Sequence, residues 1–251
     1  MADWKRGAAA GRVPATAGFV LDAVTPSRST QLLHMTETRV QRRATRVDAQ
    51  TGSRETRPLA EWRALYAYVL LGDPGAGKSW AFEDECNAVA GVPLSARDVV
   101  AGIAPADLAG RTAFIDGLDE VRAGAQDRRL PFDAIRKWLL DSGRPRFRLS
   151  CREADWLGSS DTDRLKQVVP GEQVAELHLE PLLDEDIEAM LNSRVNEVPD
   201  APAFLLAAEH AGLTELLRNP LLLDLTIKAT ASGSRPRTRA AIYEAACGQL
   251  A

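Results

Sequence analysis

Residues 72–79, GDPGAGKS, constrain the fold of this chain more than any other part of its sequence. They lie between the apolar run YAYVLL and the helical pattern SWAFEDECNAVA. Three glycines and a proline at this point predict a tight turn whose backbone N–H groups face one small concavity. Glycine suits that turn because side chains would block the approach and several positions need positive φ. The helix that follows adds unpaired N–H groups and a dipole, and both favour anions.

The same eight residues fit the pattern G-x-x-x-x-G-K-[ST], which predicts a phosphate-binding loop. We expect Lys78 to reach the β- and γ-phosphates and Ser79 to supply a hydroxyl to Mg²⁺. The alternative is a glycine-rich strand–helix turn that binds nothing. The residues predicted to bind nucleotide here are Gly72, Asp73, Pro74, Gly75, Ala76, Gly77, Lys78, Ser79 and Trp80.

The segment AFIDGLDE at residues 113–120 predicts the acidic half of the site. Asp116 ends an apolar strand, at the edge where parallel α/β sheets bind ligands. A carboxylate there is stabilised by a cation, so we expect Asp116 to hold Mg²⁺ through water. Asp119 or Glu120 is predicted to orient the water that attacks the γ-phosphate. The alternative is an acidic loop that faces solvent.

Predicted strands alternate with predicted helices up to about residue 180, which indicates a parallel sheet with helices on both faces. After Pro181 the pattern is entirely helical. We therefore predict an α/β fold, a three-layer sandwich of the P-loop NTPase type, followed by a small all-helical lid domain. The predicted boundaries are an N-terminal extension at 1–60, the α/β core at 61–180 and the lid at 181–251. Short β-like pieces around Gly52 are expected within the extension.

The composition is that of an ordinary soluble protein: 45% hydrophobic and 26% charged residues, with a net charge of −4. There is no general basic excess for nucleic acid, and no apolar run approaches the ~20 residues that a membrane helix needs. Three unpaired cysteines indicate reduced thiols and a cytoplasmic location. A cluster of arginines is predicted to be a solvated arm, or alternatively a patch for phosphate-rich partners. Its members are Arg39, Arg42, Arg43, Arg46, Arg54, Arg57 and Arg63.

Taken together, GDPGAGKS and FIDGLDE resemble the NACHT branch of the STAND signalling ATPases. The downstream segments FRLSCRE, LEPLLDEDIEAML, LLRNPLLLDLTIKA and TRAAIYEAA resemble further elements of that family, so the similarity covers about residues 66–250. It implies that Arg152 senses the γ-phosphate and that Pro220 packs on adenine. The alternatives are that Arg152 pairs with Glu153 or Asp155 and that Pro220 only begins a helix.

The resemblance also implies ATP and ADP with Mg²⁺ as cofactors, slow hydrolysis and an ATP-dependent homo-oligomer. Protein effector or sensor domains, in cis or in trans, are implied as partners, with a role in bacterial defence or signalling. Family members continue into a winged helix and a repeat array, whereas this chain stops near the end of the lid. The segment 91–110, between the first helix of the core and the acidic strand, is short. One peripheral strand is therefore expected to be degenerate.

Three other functions compete with a nucleotide-operated switch. An AAA+-type mechanical ATPase acting on protein or nucleic acid would need an arginine finger, for which Arg122, Arg128 and Arg129 are candidates. A small-molecule kinase would need an acceptor pocket and a base, and the sequence indicates neither. A nucleotide-binding scaffold without turnover is the third.

Overall fold

The computed structural model describes residues 40–48, 51–231, 238, 240–242 and 244, all within the compact unit Glu37–Ala251. Arg39, Cys247 and four of the nine residues of the predicted helix TRAAIYEAA lie outside these residues. The strands are β1 (Arg43–Val47), β2 (Arg54–Pro58), β3 (Ala67–Leu71), β4 (Val92–Ser95), β5 (Ala113–Asp116), β6 (Phe147–Cys151) and β7 (Ala175–Leu179).

Helices connect and follow these strands, and three short 3₁₀ helices span Leu59–Ala64, Glu153–Asp155 and Pro170–Glu172. In the core the α-helices are α1 (Lys78–Ala88), α2 (Ala96–Val100), α3 (Leu118–Ala123), α4 (Arg129–Asp141) and α5 (Ser159–Lys166). The C-terminal helical part contains α6 (Asp184–Ser193), α7 (Ala201–His210), α8 (Thr214–Leu217) and α9 (Pro220–Ala231).

The described strands form one seven-stranded sheet in the order β2-β1-β7-β3-β6-β5-β4. The five strands from β7 to β4 are parallel, as predicted. Strand β1 is antiparallel to β7 and β2 is antiparallel to β1, so this hairpin adds a mixed edge to the predicted parallel sheet.

Strand β3 shows why the fold has three layers. All five of its residues are buried, and side chains along a strand point alternately to opposite faces. Val69 and Leu71 pack in a core with residues of α2 to α5, whereas Tyr68 and Leu70 pack in a second core with α1 and the first 3₁₀ helix. Helices therefore cover both faces of the sheet, and the predicted α/β class is confirmed.

The hairpin β1–β2 extends the sheet into the segment that was predicted as a poorly defined extension. Ala44 pairs with Leu179 of β7, and the turn is closed by the Asp48 N–H donating to the Ser53 carbonyl at 2.9 Å. Gly52, with φ of +69°, supplies the left-handed turn residue. The sheet thus crosses residue 60, where the sequence placed a domain boundary. Strand β2 is polar and almost wholly exposed, so it lacks the alternation that identifies a half-buried strand.

Strand β4 corrects the expectation of a degenerate peripheral strand. It is only four residues long and contains Pro93, yet it pairs in parallel with β5. Proline is tolerated because β4 is the last strand of the sheet, where one side of its backbone has no strand partner. Ser95 then caps α2 by accepting a hydrogen bond from the Asp98 N–H at 3.0 Å.

The helices α6 to α9 have a hydrophobic core of their own. It contains Leu182, Ile187, Leu191, Leu223 and Ile227, all almost fully buried. This core shares no residues with the two cores that flank the sheet. The helical part therefore has a small core separate from those of the sheet; its assignment as a lid domain stays a prediction.

Candidate nucleotide-binding site

The loop between β3 and α1 has the conformation that its glycines predict. Gly75 and Gly77 have φ of +76° and +87°, a region that side-chain-bearing residues avoid. Gly77 directly precedes α1, and its carbonyl accepts a hydrogen bond from the Ala81 N–H at 2.9 Å. The N-terminus of α1 therefore opens at the loop, where its free N–H groups favour an anion.

The side chain of Lys78 folds back over this loop. Its Nζ donates to the carbonyl oxygens of Gly72 at 2.7 Å and Asp73 at 3.1 Å. The ammonium group is therefore held at the mouth of the loop, where a phosphate bound by the backbone would meet it. Ser79 is exposed at the first turn of α1.

Lys78 also lies within electrostatic reach of the acidic strand end. Partial burial lowers the pKa of its ammonium group, and Arg152 lowers it further, while Asp119 and Asp116 act in the opposite direction. These four charged groups come from α1, β5, α3 and the end of β6. The structure thus brings together the lysine, both aspartates and the arginine that the sequence analysis assigned to one site.

Asp116 is held in place by a serine that the sequence analysis missed. The fully buried Ser150 of β6 donates its hydroxyl to Asp116 Oδ1 and accepts from the Gly117 N–H at 2.9 Å. Because β5 and β6 are adjacent parallel strands, their carboxyl ends bring the two side chains together. The available signal in the sequence was the hydroxyl of Ser150 between Leu149 and Cys151, near the carboxyl end of β6.

The residues predicted to hold Mg²⁺ fit that ion when it arrives on phosphates. Within the ranges described, no group of three or more His, Cys, Asp or Glu side chains is placed to bind a metal. Ser79 and Asp116 offer one hydroxyl and one carboxylate, the oxygen ligands that Mg²⁺ accepts alongside phosphate oxygens and water. An isolated ion would therefore find few protein ligands here, whereas a nucleotide would complete the coordination.

Asp119 and Arg152 form a partly buried ion pair. Asp119 accepts from the Arg152 backbone N–H at 3.2 Å and lies 2.8 Å from the Arg152 Nε. The alternative partners of Arg152 are occupied elsewhere, since Glu153 contacts His178 and Asp155 pairs with Arg128. Both oxygens of Asp119 therefore orient Arg152.

Glu120 lies in a different environment from its neighbour Asp119. Its side chain is 64% exposed, and the nearest cation is Arg97 at 3.9 Å. Asp119, in contrast, is only 7% exposed. The sequence could not assign different roles to these two acids. Their environments differ, because Asp119 is fixed by an arginine while Glu120 is open to water.

The start of α9 rests on the phosphate loop. Asn219 donates from Nδ2 to the Pro74 carbonyl at 3.0 Å, and the Leu221 N–H donates to the Gly75 carbonyl at 3.2 Å. A Cβ at Gly75 would lie only 2.7 Å from Leu221 Cβ and 2.9 Å from Asn219 Oδ1. The absence of a side chain at Gly75 is therefore what allows the helical part to approach the loop this closely.

Two further residues predicted to bind nucleotide lie at the same contact. Pro220 is the first residue of α9, and its Cγ would be 3.5 Å from a Cβ at Gly77. It therefore both begins a helix and touches the loop. Trp80, half-buried on α1, packs against the core of the helical part, so the structure gives it a packing role between α1 and the lid.

Arg42 contradicts the prediction that the arginine cluster is a solvated arm. It is 5% exposed, and its guanidinium donates to the Ala76 carbonyl at 2.8 Å and the Glu180 carbonyl at 2.6 Å. Arg63 is also engaged, donating to both carboxylate oxygens of Glu85 at 2.5 and 2.9 Å. In the sequence Arg42 is indistinguishable from the neighbouring arginines. It differs from them in the fold, where its guanidinium binds carbonyls far along the chain.

Arg122 is buried too, which removes it as a candidate arginine finger. It is 1% exposed and donates to both oxygens of Asp161, at 2.8 and 3.0 Å. Its guanidinium also donates to the backbone carbonyls of Asp155 and Arg128 and lies 5.1 Å from the Phe132 ring centre. A side chain with this many internal partners cannot reach into a neighbouring subunit.

Two further findings concern the described residues outside the loop. Over the described ranges, none of the helices has the length and apolarity to cross a bilayer. Cys86 and Cys151 are buried free thiols, and burial raises the pKa of Cys151 to about 12.

No protein-family model and no curated protein matches the sequence at a significant level. Among solved structures, the fold is similar to the Thermotoga maritima RuvB Holliday junction branch migration motor. The TM-score is 0.38 and the identity 12%, over 74% of this chain and 62% of that chain. This chain thus spans less than two thirds of that structure. The fold assignment rests on the chain's own strand order and packing.

Proposed function

We propose that this chain is a Mg²⁺-dependent nucleotide switch, which binds ATP and hydrolyses it slowly. The observation that carries the proposal is the convergence of three elements at the carboxyl end of β3. These are the glycine loop with Lys78, the acidic strand end with Asp116, and the start of α9 at Asn219. A glycine-rich turn with no ligand would need neither the carboxylates nor the lysine at its mouth.

Each residue has a role in this proposal. The backbone N–H groups of the loop and Lys78 bind the phosphates. Ser79 and Asp116 hold Mg²⁺, which neutralises phosphate charge when bound. Arg152, oriented by Asp119, approaches the γ-phosphate, and the exposed Glu120 orients the attacking water.

The contact between α9 and the loop is what favours a switch. Asn219 and Leu221 bind loop carbonyls directly, so a loop that rearranges around phosphates changes the contacts of the helical part. A ligand shifts a conformational equilibrium when it binds one arrangement more tightly than the other. The switch is proposed as a NACHT-type member of the STAND ATPases on the resemblance of its motifs. From that resemblance we also propose ATP-dependent homo-oligomerisation, effector or sensor partners, adenine packing on Pro220 and a role in bacterial defence or signalling. The cytoplasmic location is proposed from the unpaired cysteines.

Nucleotide binding is tested by calorimetry with MgATP, MgADP and MgGTP. We expect Lys78→Ala to weaken ATP binding at least tenfold, because the loop loses its cation. Lys137→Ala is the matched control, since Lys137 is an exposed lysine on α4 that pairs with Asp141. Equal affinity in Lys78→Ala and the parental protein would refute the assignment of the loop.

Turnover and switching need separate assays. We expect Glu120→Gln to retain ATP binding and to slow phosphate release. If Glu120→Gln and Asp119→Asn both hydrolyse ATP at the parental rate, neither acid orients the attacking water. Size-exclusion chromatography with a non-hydrolysable ATP analogue and with ADP tests the switch. Identical elution would favour a scaffold, and rapid turnover stimulated by DNA or unfolded protein would favour a mechanical ATPase.

A further inference from the structure

Arg42 lies where the phosphate loop, the sheet and the connection to the helical part meet. We propose that Arg42 is a positioning residue, which orients the phosphate loop for nucleotide and ties it to the connection after β7. This inference rests on the proposed function, since it concerns the affinity of the same site. It adds a residue that is outside the loop motif and lies 34 positions before Ala76 in the chain.

The guanidinium bridges two backbone carbonyls that belong to different parts of the molecule. Nη1 donates to Ala76 in the loop at 2.8 Å, and Nη2 donates to Glu180 after β7 at 2.6 Å. A Cβ at Gly77 would lie 2.8 Å from Nη1. The glycine at the end of the loop therefore leaves the space that the guanidinium occupies.

Holding the Ala76 carbonyl also sets the direction of a phosphate-loop donor. The peptide bond between Ala76 and Gly77 is planar and trans, so its C=O and N–H point in opposite directions. An arginine that fixes the direction of the carbonyl therefore aims the Gly77 N–H in the opposite direction. Arg42 thereby orients part of the anion-binding concavity from the opposite edge of this peptide unit, where it binds the carbonyl.

Arg42 is itself held on both sides by the sheet. Its carbonyl accepts from the Leu59 N–H at 2.8 Å, and the carbonyl of the next residue, Arg43, accepts from the Glu180 N–H at 2.9 Å. Val40, two residues earlier, packs in the core of the helical part. The same short segment thus contacts the loop, the sheet and the helical part.

The chemistry of the site calls for arginine in particular. A planar guanidinium presents several donors in a fixed fork and satisfies two separate carbonyls, whereas a lysine ammonium is a compact point charge without this fixed geometry. Burying a cation costs free energy, and the attraction of Asp186 offsets only part of that cost. A lysine at this position therefore keeps the charge and loses the geometry of the bridge.

Arg42→Lys tests the inference, with Arg148→Lys as a matched control. Arg148 is also buried and donates to backbone carbonyls, including those of Tyr66 and Leu65. It lies near the start of β3, at the opposite end of the strand from the loop. We measure the Kd for MgADP by calorimetry, well below the Tm of each variant.

We expect Arg42→Lys to raise the Kd about tenfold. This corresponds to losing about one charged hydrogen bond that positions the loop. Arg148→Lys should lower the Tm and leave the Kd within about twofold. Arg42→Gln, which keeps one donor group without the charge, is the second variant and should also weaken binding.

The possible outcomes separate the two proposals. If the parental protein and the Arg148 variant bind MgADP and both Arg42 variants bind it equally well, this inference is wrong and the proposed function stands. An equal rise in Kd for the Arg42 and Arg148 variants also overturns it, because a general loss of packing would explain both. If the parental protein binds no nucleotide, the proposed function fails and this inference fails with it.

Discussion

Replacing Gly75 by alanine tests whether the helical part rests on the phosphate loop. Gly75 has φ of +76°, so an alanine there would adopt a left-handed conformation at a cost in free energy. That cost is about 1–2 kcal/mol, reduced by about 0.4–1 kcal/mol because alanine restricts the unfolded chain. The methyl group would also meet Leu221 at 2.7 Å and Asn219 at 2.9 Å. The start of α9 must then move away from the loop.

The magnitude follows from the contacts that such a movement breaks. Two hydrogen bonds are lost, from Leu221 to Gly75 and from Asn219 to Pro74, each with a net contribution of about 0.5–1.5 kcal/mol. We therefore expect Gly75→Ala to lower the free energy of unfolding by about 2–4 kcal/mol, with the backbone conformation included.

Gly102→Ala is the control that isolates the contact. Gly102 has φ of +72°, nearly that of Gly75, and a Cβ there would meet no atom within 4 Å. This variant should lose only about 1 kcal/mol, the cost of the conformation. Urea unfolding monitored by circular dichroism, without nucleotide, gives both values. Equal losses in the two variants would show that α9 does not rest on the loop and would refute the reasoning.

Three other predictions concern buried polar groups. Ser150→Ala removes the hydrogen bond that holds Asp116, so we expect MgATP turnover to fall about tenfold with nearly unchanged affinity; unchanged phosphate release would contradict this. Asp161→Asn leaves the Arg122 guanidinium buried beside a neutral group and should cost about 3–5 kcal/mol in urea unfolding, whereas a loss below about 1 kcal/mol would contradict it. Burial raises the Cys151 pKa from 9 to about 12, so the unfolded thiol ionises first as pH rises. The parental protein should therefore lose about 1.4 kcal/mol of stability at pH 10 that Cys151→Ala keeps, and parallel pH profiles of the two proteins would contradict the assignment.

The phosphate loop and the acidic strand end could be predicted because their information is local. Residues 72–79 contain the glycines, the lysine and the hydroxyl in one run, and Asp116 follows directly after its strand. Alternating apolar segments were sufficient to predict the α/β class, since strands buried on both faces and amphipathic helices differ in their pattern.

Interactions between distant residues were not predictable in this way. Arg42 binds a carbonyl 34 residues away, and Arg122 binds an aspartate 39 residues away. In the sequence both are ordinary arginines among many, and the burial that gives them their roles exists only once the sheet has formed. The same limit applied to Ser150, whose partner Asp116 belongs to the neighbouring strand.

The position of the hairpin β1–β2 matters for anyone who works with a shortened version of this chain. A protein trimmed to begin at residue 61 would keep every glycine of the loop but would leave β7 with no strand partner on the edge where β1 now pairs. Open strand edges of this kind associate with one another. Aggregates from such a trimmed protein would reflect this exposed edge and would need to be distinguished from the ATP-dependent oligomer that we propose.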